Sequence, residues 1–435
     1  MIDIVTIAVG FACMLAFLLT GLHVASVMML TALIGILAGF GPSMFAPLGN
    51  MMWAEQNSFI LTAIPLYILM GEILVHSDVA RRMYRSLADW LSWLPGGLLH
   101  TNIASSAMFA AISGSSVATA ATIGTVAFPT FRAQGYDEKW VAGSIASGAT
   151  LGILIPPSIN LIIYGAITET SIGALFIAGM VPGLLLALMF MLTIAVAALI
   201  WPELAGSGAR PDPDRSGRIA RLKDLVAPVV IFTIIIASIY AGWATPTEAA
   251  AVGVVAALGL SMMNRTFNRK MLHASLFATV RITAMILLVL TAAFFLNFTL
   301  GLLGIPALIS GFVGGLDVPP MLLIACLVVF YLVLGCFLDA LAMMITTVPI
   351  LFPIVIALGF DPLWFGVFVV IMCELALLTP PVGMNLYVVQ GVRKAGQLTD
   401  VIRGVLPFFL AILGLVVLMT TWPPLITWLP KLMAD

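Results

Sequence analysis

Two long apolar segments of this chain are each interrupted near the middle by adjacent prolines, Pro156-Pro157 and Pro380-Pro381. A proline removes a backbone donor and clashes with the preceding turn, so two in a row open a helix. If the segments lie in lipid, the freed backbone groups must be enclosed by protein or line a wet cavity. Paired breaks of this kind favour a transporter binding site, and proline kinks that serve only packing are the alternative.

The composition places these segments in a membrane. Of 435 residues, 62% are hydrophobic and 9% are charged, whereas a soluble chain carries about a quarter charged residues. We therefore expect lipid around much of the chain. The net charge of −1 argues against a nucleic-acid partner. The four cysteines lie in apolar runs without a CxxC pair, so we expect buried thiols and neither a disulfide framework nor a zinc site.

The order of apolar runs repeats in the two halves of the chain. At one offset of 224 residues, Pro129 matches Pro353, Gly135 matches Gly359, Asp137 matches Asp361, and each proline of the first pair matches one of the second. Five coincidences in one register indicate an internal repeat. The predicted single spans are about 4–20, 24–41, 58–75, 172–200, 225–241, 247–263, 282–300 and 405–428.

The remaining apolar runs form two broken helices and two hairpins. If the hairpins enter and leave on one side, each half crosses the membrane five times, so the halves are inverted. A periplasmic N-terminus then leaves only Lys431 of the 18 Lys and Arg residues outside the cytoplasm. The prediction is an all-α polytopic membrane protein with two inverted-topology repeats, about ten spanning helices and two re-entrant hairpins. Its parts are repeat 1–202 (hairpin 97–131, broken helix 140–168), cytoplasmic linker 203–224, and repeat 225–435 (hairpin 319–357, broken helix 363–390).

Polar residues cluster at the hairpin turns and proline breaks. Hydroxyl, amide, carboxylate and helix-end carbonyl oxygens suit a hard monovalent cation such as Na⁺. The candidate Na⁺ ligands are Ser115, Ser116, Ser158, Asn160, Gly335, Asp339, Thr379, Gly383 and Asn385. Helix N-termini at the same breaks suit an anionic substrate. The candidate substrate contacts are Ser113, Gly114, Ser115, Pro156, Pro157, Pro380 and Pro381. Alternatively, a serine or threonine there bonds its own helix backbone.

Three acidic residues are expected at or near membrane depth, where a carboxylate is usually functional. Asp339 is the strongest candidate because it lies at a hairpin turn. Glu72 either has such a role or pairs with Arg81 or Arg82, and Glu374 is either an ion or proton ligand or a packing partner. Glu248 is discounted because Thr245-Pro246-Thr247-Glu248 is typical of a capped helix start.

Five motifs resemble one known family over almost the whole chain. They are SGSSVATAATIG (113–124), GILIPPSINLIIYG (152–165), GWATPTEAAAVG (242–253), GCFLDALAMMITTVPILFPI (335–354) and LLTPPVGMNLYVVQG (377–391). Together they resemble the DctM-type large membrane subunit of the tripartite ATP-independent periplasmic (TRAP) transporters. The resemblance implies an elevator-type secondary transporter in the bacterial inner membrane, which imports carboxylate solutes with Na⁺. It also implies a small four-helix membrane subunit and a periplasmic solute-binding protein as partners.

Other functions are weighed against this one. A stand-alone Na⁺ or H⁺ coupled dicarboxylate carrier of the same superfamily is the nearest alternative. Direct ATP drive is not expected, because no lysine is preceded by glycine and followed by Ser or Thr as in a Walker A motif. An intramembrane hydrolase is disfavoured by the absence of HExxH, GxSG and GxGD motifs. A channel is a further alternative, because re-entrant loops also occur in channels.

Overall fold

The computed structural model describes residues 4–45, 47–206, 221–315 and 319–434. Every regular element in those ranges is helical, which confirms the predicted all-α polytopic class. Besides four short 3-10 helices, the helices are α1 Ile4–Leu19, α2 Val24–Gly39, α3 Leu48–Gln56, α4 Ala63–Val75, α5 Val79–Leu91, α6 Leu98–Ser113, α7 Ser116–Ala133, α8 Glu138–Thr150, α9 Ile159–Thr168, α10 Ile172–Ile200, α11 Lys223–Tyr240, α12 Pro246–Met263, α13 Arg269–Leu302, α14 Ile305–Gly315, α15 Pro320–Gly335, α16 Ala340–Ala357, α17 Pro362–Leu378, α18 Met384–Arg393, α19 Leu398–Thr421 and α20 Pro424–Ala434.

Helix length separates complete spans from partial ones. Within the described ranges, six helices are long and apolar enough to cross a membrane, or seven if the bent pair of α3 and α4 counts as one span. Of these, α10 coincides with the predicted span 172–200, whereas α13 runs 34 residues and extends the predicted span 282–300 at its N-terminal end. Ten crossings and an inverted relation of the halves stay predictions.

Helix pairs occupy the segments predicted as two hairpins and two broken helices. The re-entrant path of the hairpins stays a prediction, since α16 by itself is long and apolar enough to cross a membrane. The first hairpin is α6 with α7, and the second is α15 with α16. The first broken span is α8 and α9, separated by a 3-10 turn (Leu151–Ile153) and Pro156-Pro157. The second is α17 and α18, separated by residues 379–383. The prolines therefore divide each long apolar segment into two half-length helices, as expected from the lost backbone donors.

The two halves of the chain pack together through the broken spans. α8 contacts α18, and α9 contacts both α16 and α17. The closest helix pair is α8 with α19, where a Cβ on Gly143 would lie 2.1 Å from the carbonyl oxygen of Gly404. Glycine is required at this crossing because the two backbones leave no room for a side chain.

The expected burial of the cysteines needs correction, and most of the predicted linker lies outside the described residues. Cys13 and Cys326 are exposed rather than buried, since they lie on outward faces of α1 and α15, and Cys373 is buried. All four thiols are free. Most of the predicted linker 203–224, namely 207–220, lies outside the described residues. Its last part is tied to the amphipathic helix α5 by an ion pair between Arg221 and Asp89.

Candidate functional site

The tip of the first hairpin lies against the first proline break. Gly114 ends α6 with a left-handed backbone, φ 61°, a conformation that glycine adopts without strain. A Cβ on Gly114 would lie 2.9 Å from the carbonyl oxygen of Pro157. On the other side of the break, a Cβ on Gly152 would lie 3.0 Å from the backbone nitrogen of Ser116. The tip of the first hairpin and the first proline break therefore pack directly against each other through backbone atoms.

Three candidate ligands also serve as helix N-caps. The hydroxyl of Ser115 accepts a hydrogen bond from the Ala118 amide at 3.3 Å, and Ser158 accepts one from the Leu161 amide at 3.3 Å. The carboxylate of Asp339 accepts one from the Ala342 amide at 2.7 Å. These bonds explain why α7, α9 and α16 begin at the breaks. The alternative of local backbone bonding therefore holds for the two serines.

The remaining polar residues of the first half are enclosed. The hydroxyls of Ser113 and Thr119 are 3.2 Å apart, and Thr119 also donates to the carbonyl of Ser115 at 2.7 Å. Asn160 is buried, and its side-chain nitrogen has no hydrogen-bond partner in the part of the chain that the structure describes. An unpaired buried amide group is costly and usually has a reason.

The second break also has glycines in close contacts, and a hydrogen bond connects it to the first half of the chain. A Cβ on Gly335, at the tip of the second hairpin, would lie 2.8 Å from the Cβ of Ala376 on α17. After the prolines, a Cβ on Gly383 would lie 3.0 Å from the carbonyl oxygen of Thr379. The Asn385 side-chain nitrogen donates to the carbonyl of Ala146 on α8 at 3.2 Å. Its side-chain carbonyl oxygen Oδ1 is buried, and no described residue hydrogen-bonds to it.

The two proline pairs differ in solvent exposure. Pro156 and Pro157 are buried, whereas Pro380 and Pro381 are exposed. In both pairs the intervening peptide bond is cis. Four helices, α7, α9, α16 and α18, begin at the breaks or hairpin tips, so their N-terminal amides are available to attract an anion.

The acidic residues divide as follows. Glu248 completes a capping box with Thr245, which confirms that it serves the start of α12. The predicted pairing of Glu72 with Arg81 or Arg82 is wrong: both arginines lie 3.7 Å from Asp78, one turn or less away on the same helix end. Glu72 instead lies 3.8 Å from His76, one turn along the chain.

An ion cluster at one end of the broken spans was missed in the sequence. Arg393, 5% exposed, contacts Glu138 at 2.7 Å and Asp400 at 3.4 Å. Arg132 also contacts Glu138 at 2.9 Å and donates to the Arg393 carbonyl at 2.7 Å. The cluster joins α7 and α8 of the first half to α18 and α19 of the second. No local spacing reveals the link between the halves, because Arg393 and Glu138 are 255 residues apart in sequence.

A cavity of about 930 Å³ lies away from the breaks. It is lined by residues of α1, α2, α13, α15 and α16, among them Phe11, Gly35, Leu303 and Phe330. None of the predicted site residues lines it. Among the described residues its lining is mostly apolar, with no charged side chain but with four threonines, Thr6, Thr31, Thr299 and Thr347. The breaks therefore remain the candidate site.

Comparison with known proteins identifies the family of the chain. Residues 11–425 match the model of the "Tripartite ATP-independent periplasmic transporter, DctM component". The chain belongs to the DctM family. It is therefore a transporter subunit rather than an enzyme, and it is a multi-pass membrane protein.

Relatives within the DctM family carry different substrate names. The chain is 30% identical to the C4-dicarboxylate TRAP transporter large permease protein DctM of Vibrio cholerae, over 98% of both chains. It is 31% identical to the sialic acid TRAP transporter large permease protein SiaM of the same organism, over 88% of this chain and 89% of SiaM. The YdaH transporter of Alcanivorax borkumensis has a similar fold, with a TM-score of 0.64, 15% identity and coverage of 87% and 88% of the two chains.

Proposed function

We propose that this DctM-family chain is the large membrane subunit of a Na⁺-coupled importer of organic acids. In this proposal a periplasmic solute-binding protein delivers the substrate, and a small four-helix membrane subunit completes the membrane complex. Relatives are named for C4-dicarboxylates and for sialic acid, and both substrates carry carboxylates. The chain would lie in the bacterial inner membrane with a periplasmic N-terminus and a cytoplasmic central linker.

One observation carries the proposal for the site. Asn385, which follows the second proline break, donates its side-chain N–H to α8 of the first half. Its Oδ1 is left buried and unpaired. An amide oxygen held in this way is a ready ligand for a cation, since a cation needs acceptors that lack donors. The residues proposed to hold Na⁺ are those predicted from the sequence: Ser115, Ser116, Ser158 and Asn160 at the first break, and Gly335, Asp339, Thr379, Gly383 and Asn385 at the second.

The substrate would lie between the two breaks. Anions are stabilised at helix N-termini by free N–H groups and the helix dipole, and four such termini begin at the breaks and hairpin tips. Ser113, Gly114 and Ser115 with the four prolines remain the proposed contacts. Binding of Na⁺ beside these termini would add positive charge next to the carboxylate, which gives a physical reason for coupling.

Substitutions at the second break test the Na⁺ site. We expect Asp339→Asn, and separately Asn385→Ala, to raise the Na⁺ concentration for half-maximal uptake roughly tenfold, equivalent to about 1.4 kcal/mol of binding free energy. The matched control is Asp361→Asn, because Asp361 is also an N-cap and accepts from the Leu363 amide at 2.8 Å. If Asp339 acts only as a cap, both Asp→Asn variants will behave alike.

Na⁺ binding can first be measured by a melting assay that does not depend on knowing the substrate. Na⁺ that binds the folded protein raises its melting temperature, so NaCl can be compared with KCl in the purified membrane complex. Radiolabelled C4-dicarboxylate and sialic acid then test uptake in proteoliposomes. Unchanged Na⁺ dependence in both Asp339→Asn and Asn385→Ala would refute the proposed Na⁺ site at the second break. Uptake by this chain alone, without small subunit or binding protein, would instead favour the stand-alone carrier.

A further inference from the structure

Glu374 on α17 is a buried carboxyl group that the proposed Na⁺ and carboxylate site does not use. Its side chain is 0% exposed. Neither of its carboxylate oxygens has a hydrogen-bond partner within the described residues. Every residue of its helix from Trp364 to Leu378 is buried, so solvent does not reach Glu374 along α17. A carboxylate in such surroundings usually marks a function.

The direction of the Glu374 side chain follows from the contacts of α17. Gly366 faces Tyr164 on α9, and the indole N–H of Trp364 donates to the Met419 carbonyl on α19 at 2.9 Å. At about 100° per residue, Glu374 lies about 80° from each of these positions, between α9 and α19. Ala376, which touches the second hairpin at Gly335, lies about 160° away from it. Glu374 therefore faces the interior that the broken spans share, where α8 and the 3-10 turn also contact α17.

No charged group in the described chain compensates Glu374. On its own helix, the thiol of Cys373 donates to the Ala340 carbonyl at 3.2 Å. The ionisable side chains on or beside α17 and the elements packed against it are Asp137, Glu138, Lys139, Tyr164, Glu169, Cys326, Tyr331, Cys336, Asp339, Asp361, Tyr387, Arg393, Lys394, Asp400, Arg403 and Lys431. Arg393, the buried cation among them, is held by Glu138 and Asp400. Tyr164 donates to the Pro362 carbonyl, and Tyr331 is bonded to Thr347.

A proton fits this environment better than a metal ion. An ionised carboxylate without a hydrogen bond or counter-charge is strongly unfavourable in a medium of low polarity. A metal ion would need several oxygen ligands around it. The residues on the same face of α17, Val370, Ile371, Leu377 and Leu378, are all apolar. One proton removes the charge without further ligands.

We propose that Glu374 binds a proton in this conformation and exchanges it with water during the transport cycle, so that protons take part in transport. The step joins H⁺ to the carboxylate to form the neutral acid, and release reverses it. The residue at the equivalent position of the first half, by the offset of 224, is Thr150. Its hydroxyl donates to the Ser147 carbonyl at 2.8 Å, so only the second half has a titratable group there. This proposal rests on the proposed transport function for its role.

Infrared spectroscopy of the purified membrane complex tests proton binding directly. At neutral pH we expect a C=O band of one protonated carboxyl group per chain. The band is lost in Glu374→Gln and kept in the neighbouring control Cys373→Ala. It shifts in wild-type protein labelled with ¹³C-glutamate, a measurement that needs no variant to fold. Absence of a protonated glutamate band in the wild type would overturn the proposal.

Two further readouts separate this proposal from its alternatives. After transfer to D₂O, the band should shift as the carboxyl proton exchanges; a band that never shifts would show a permanently neutral packing residue and would overturn release. The melting shift produced by NaCl should be the same in wild type and Glu374→Gln. A missing acid band together with a lost NaCl shift in the variant would assign Glu374 to a metal cation instead. Wild-type uptake that does not depend on Na⁺ would refute the proposed function. The infrared result for Glu374 would be unchanged in that case.

Discussion

The crossing of α8 and α19 allows a substitution whose sign can be worked out from the structure. In Gly143→Ala, the new methyl group would lie 2.1 Å from the carbonyl oxygen of Gly404. An ordinary van der Waals contact begins at 3.4 Å, so the helices must separate by about 1.3 Å. The opposing atoms are backbone, so no change of rotamer relieves the overlap. The reverse contact is equally tight, with a Cβ on Gly404 placed 2.0 Å from the Lys139 carbonyl oxygen.

The magnitude follows from two opposing effects. Overfilling a packed interior costs about 1–3 kcal/mol, and the rigid backbone here puts Gly143→Ala at or above the upper end. Replacing glycine by alanine inside a helix contributes about 1 kcal/mol in the other direction. We expect a net loss of about 2 kcal/mol or more. Gly259→Ala is the matched control, because Gly259 on α12 has nothing within 4 Å of its Cβ position. It should gain up to about 1 kcal/mol.

Thermal melting in detergent at one fixed scan rate checks this pair. Unfolding of a large membrane protein is commonly irreversible, so the apparent melting temperatures are compared only at equal rates. Gly143→Ala should melt below the wild type, and Gly259→Ala at or above it. If Gly143→Ala and Gly259→Ala have the same apparent melting temperature, α8 and α19 do not make the backbone contact described above.

Three further predictions concern the ion cluster, the first hairpin and a helix cap. Arg393→Ala should cost about 1.5–3 kcal/mol, because it removes charge-assisted hydrogen bonds to Glu138 and Asp400 while Glu138 keeps Arg132. Arg132→Ala, at an exposed pair, should cost no more than about 1 kcal/mol in the same melting assay. Gly114→Ala forces a left-handed alanine at about 1–2 kcal/mol and pushes the hairpin tip from Pro157. Na⁺ titration of uptake should show weakened Na⁺ binding, and an unchanged titration would contradict the role of this tip. Thr245→Ala removes an N-cap and should cost about 1 kcal/mol in melting without altering the Na⁺ titration.

Local and periodic features were predictable from the sequence. The prolines define the breaks, apolar run length defines α10, and the Thr-Pro-Thr-Glu pattern defines the start of α12, because each depends on neighbours in the chain. α13 was predicted too short because hydropathy reports where lipid begins, whereas the helix continues into polar surroundings.

Long-range pairing was not predictable. The contact of Arg393 with Glu138 spans 255 residues, and that of Asn385 with Ala146 spans 239. The alternative that pairs Glu72 with Arg81 or Arg82 overlooked a local pairing, because Asp78 lies three and four residues before these arginines and contacts both. The roles of individual ligands at the breaks likewise depend on how the two halves approach each other, which no local pattern encodes.

The length of α13 limits how it can move. Its residues 282–302 span about 31 Å, close to the hydrocarbon thickness of about 30 Å. The preceding 13 residues extend the helix by about 20 Å and carry Arg269, Lys270 and Arg281. Sliding the helix along the membrane normal would draw these cations toward lipid tails, at roughly 2.5–3.5 kcal/mol for each that reaches the bilayer centre. Anionic headgroups would hold them in place. We therefore expect α13, which contacts α2, α4 and α16, to keep its depth in the membrane, as a stationary surface in the predicted elevator-type motion requires.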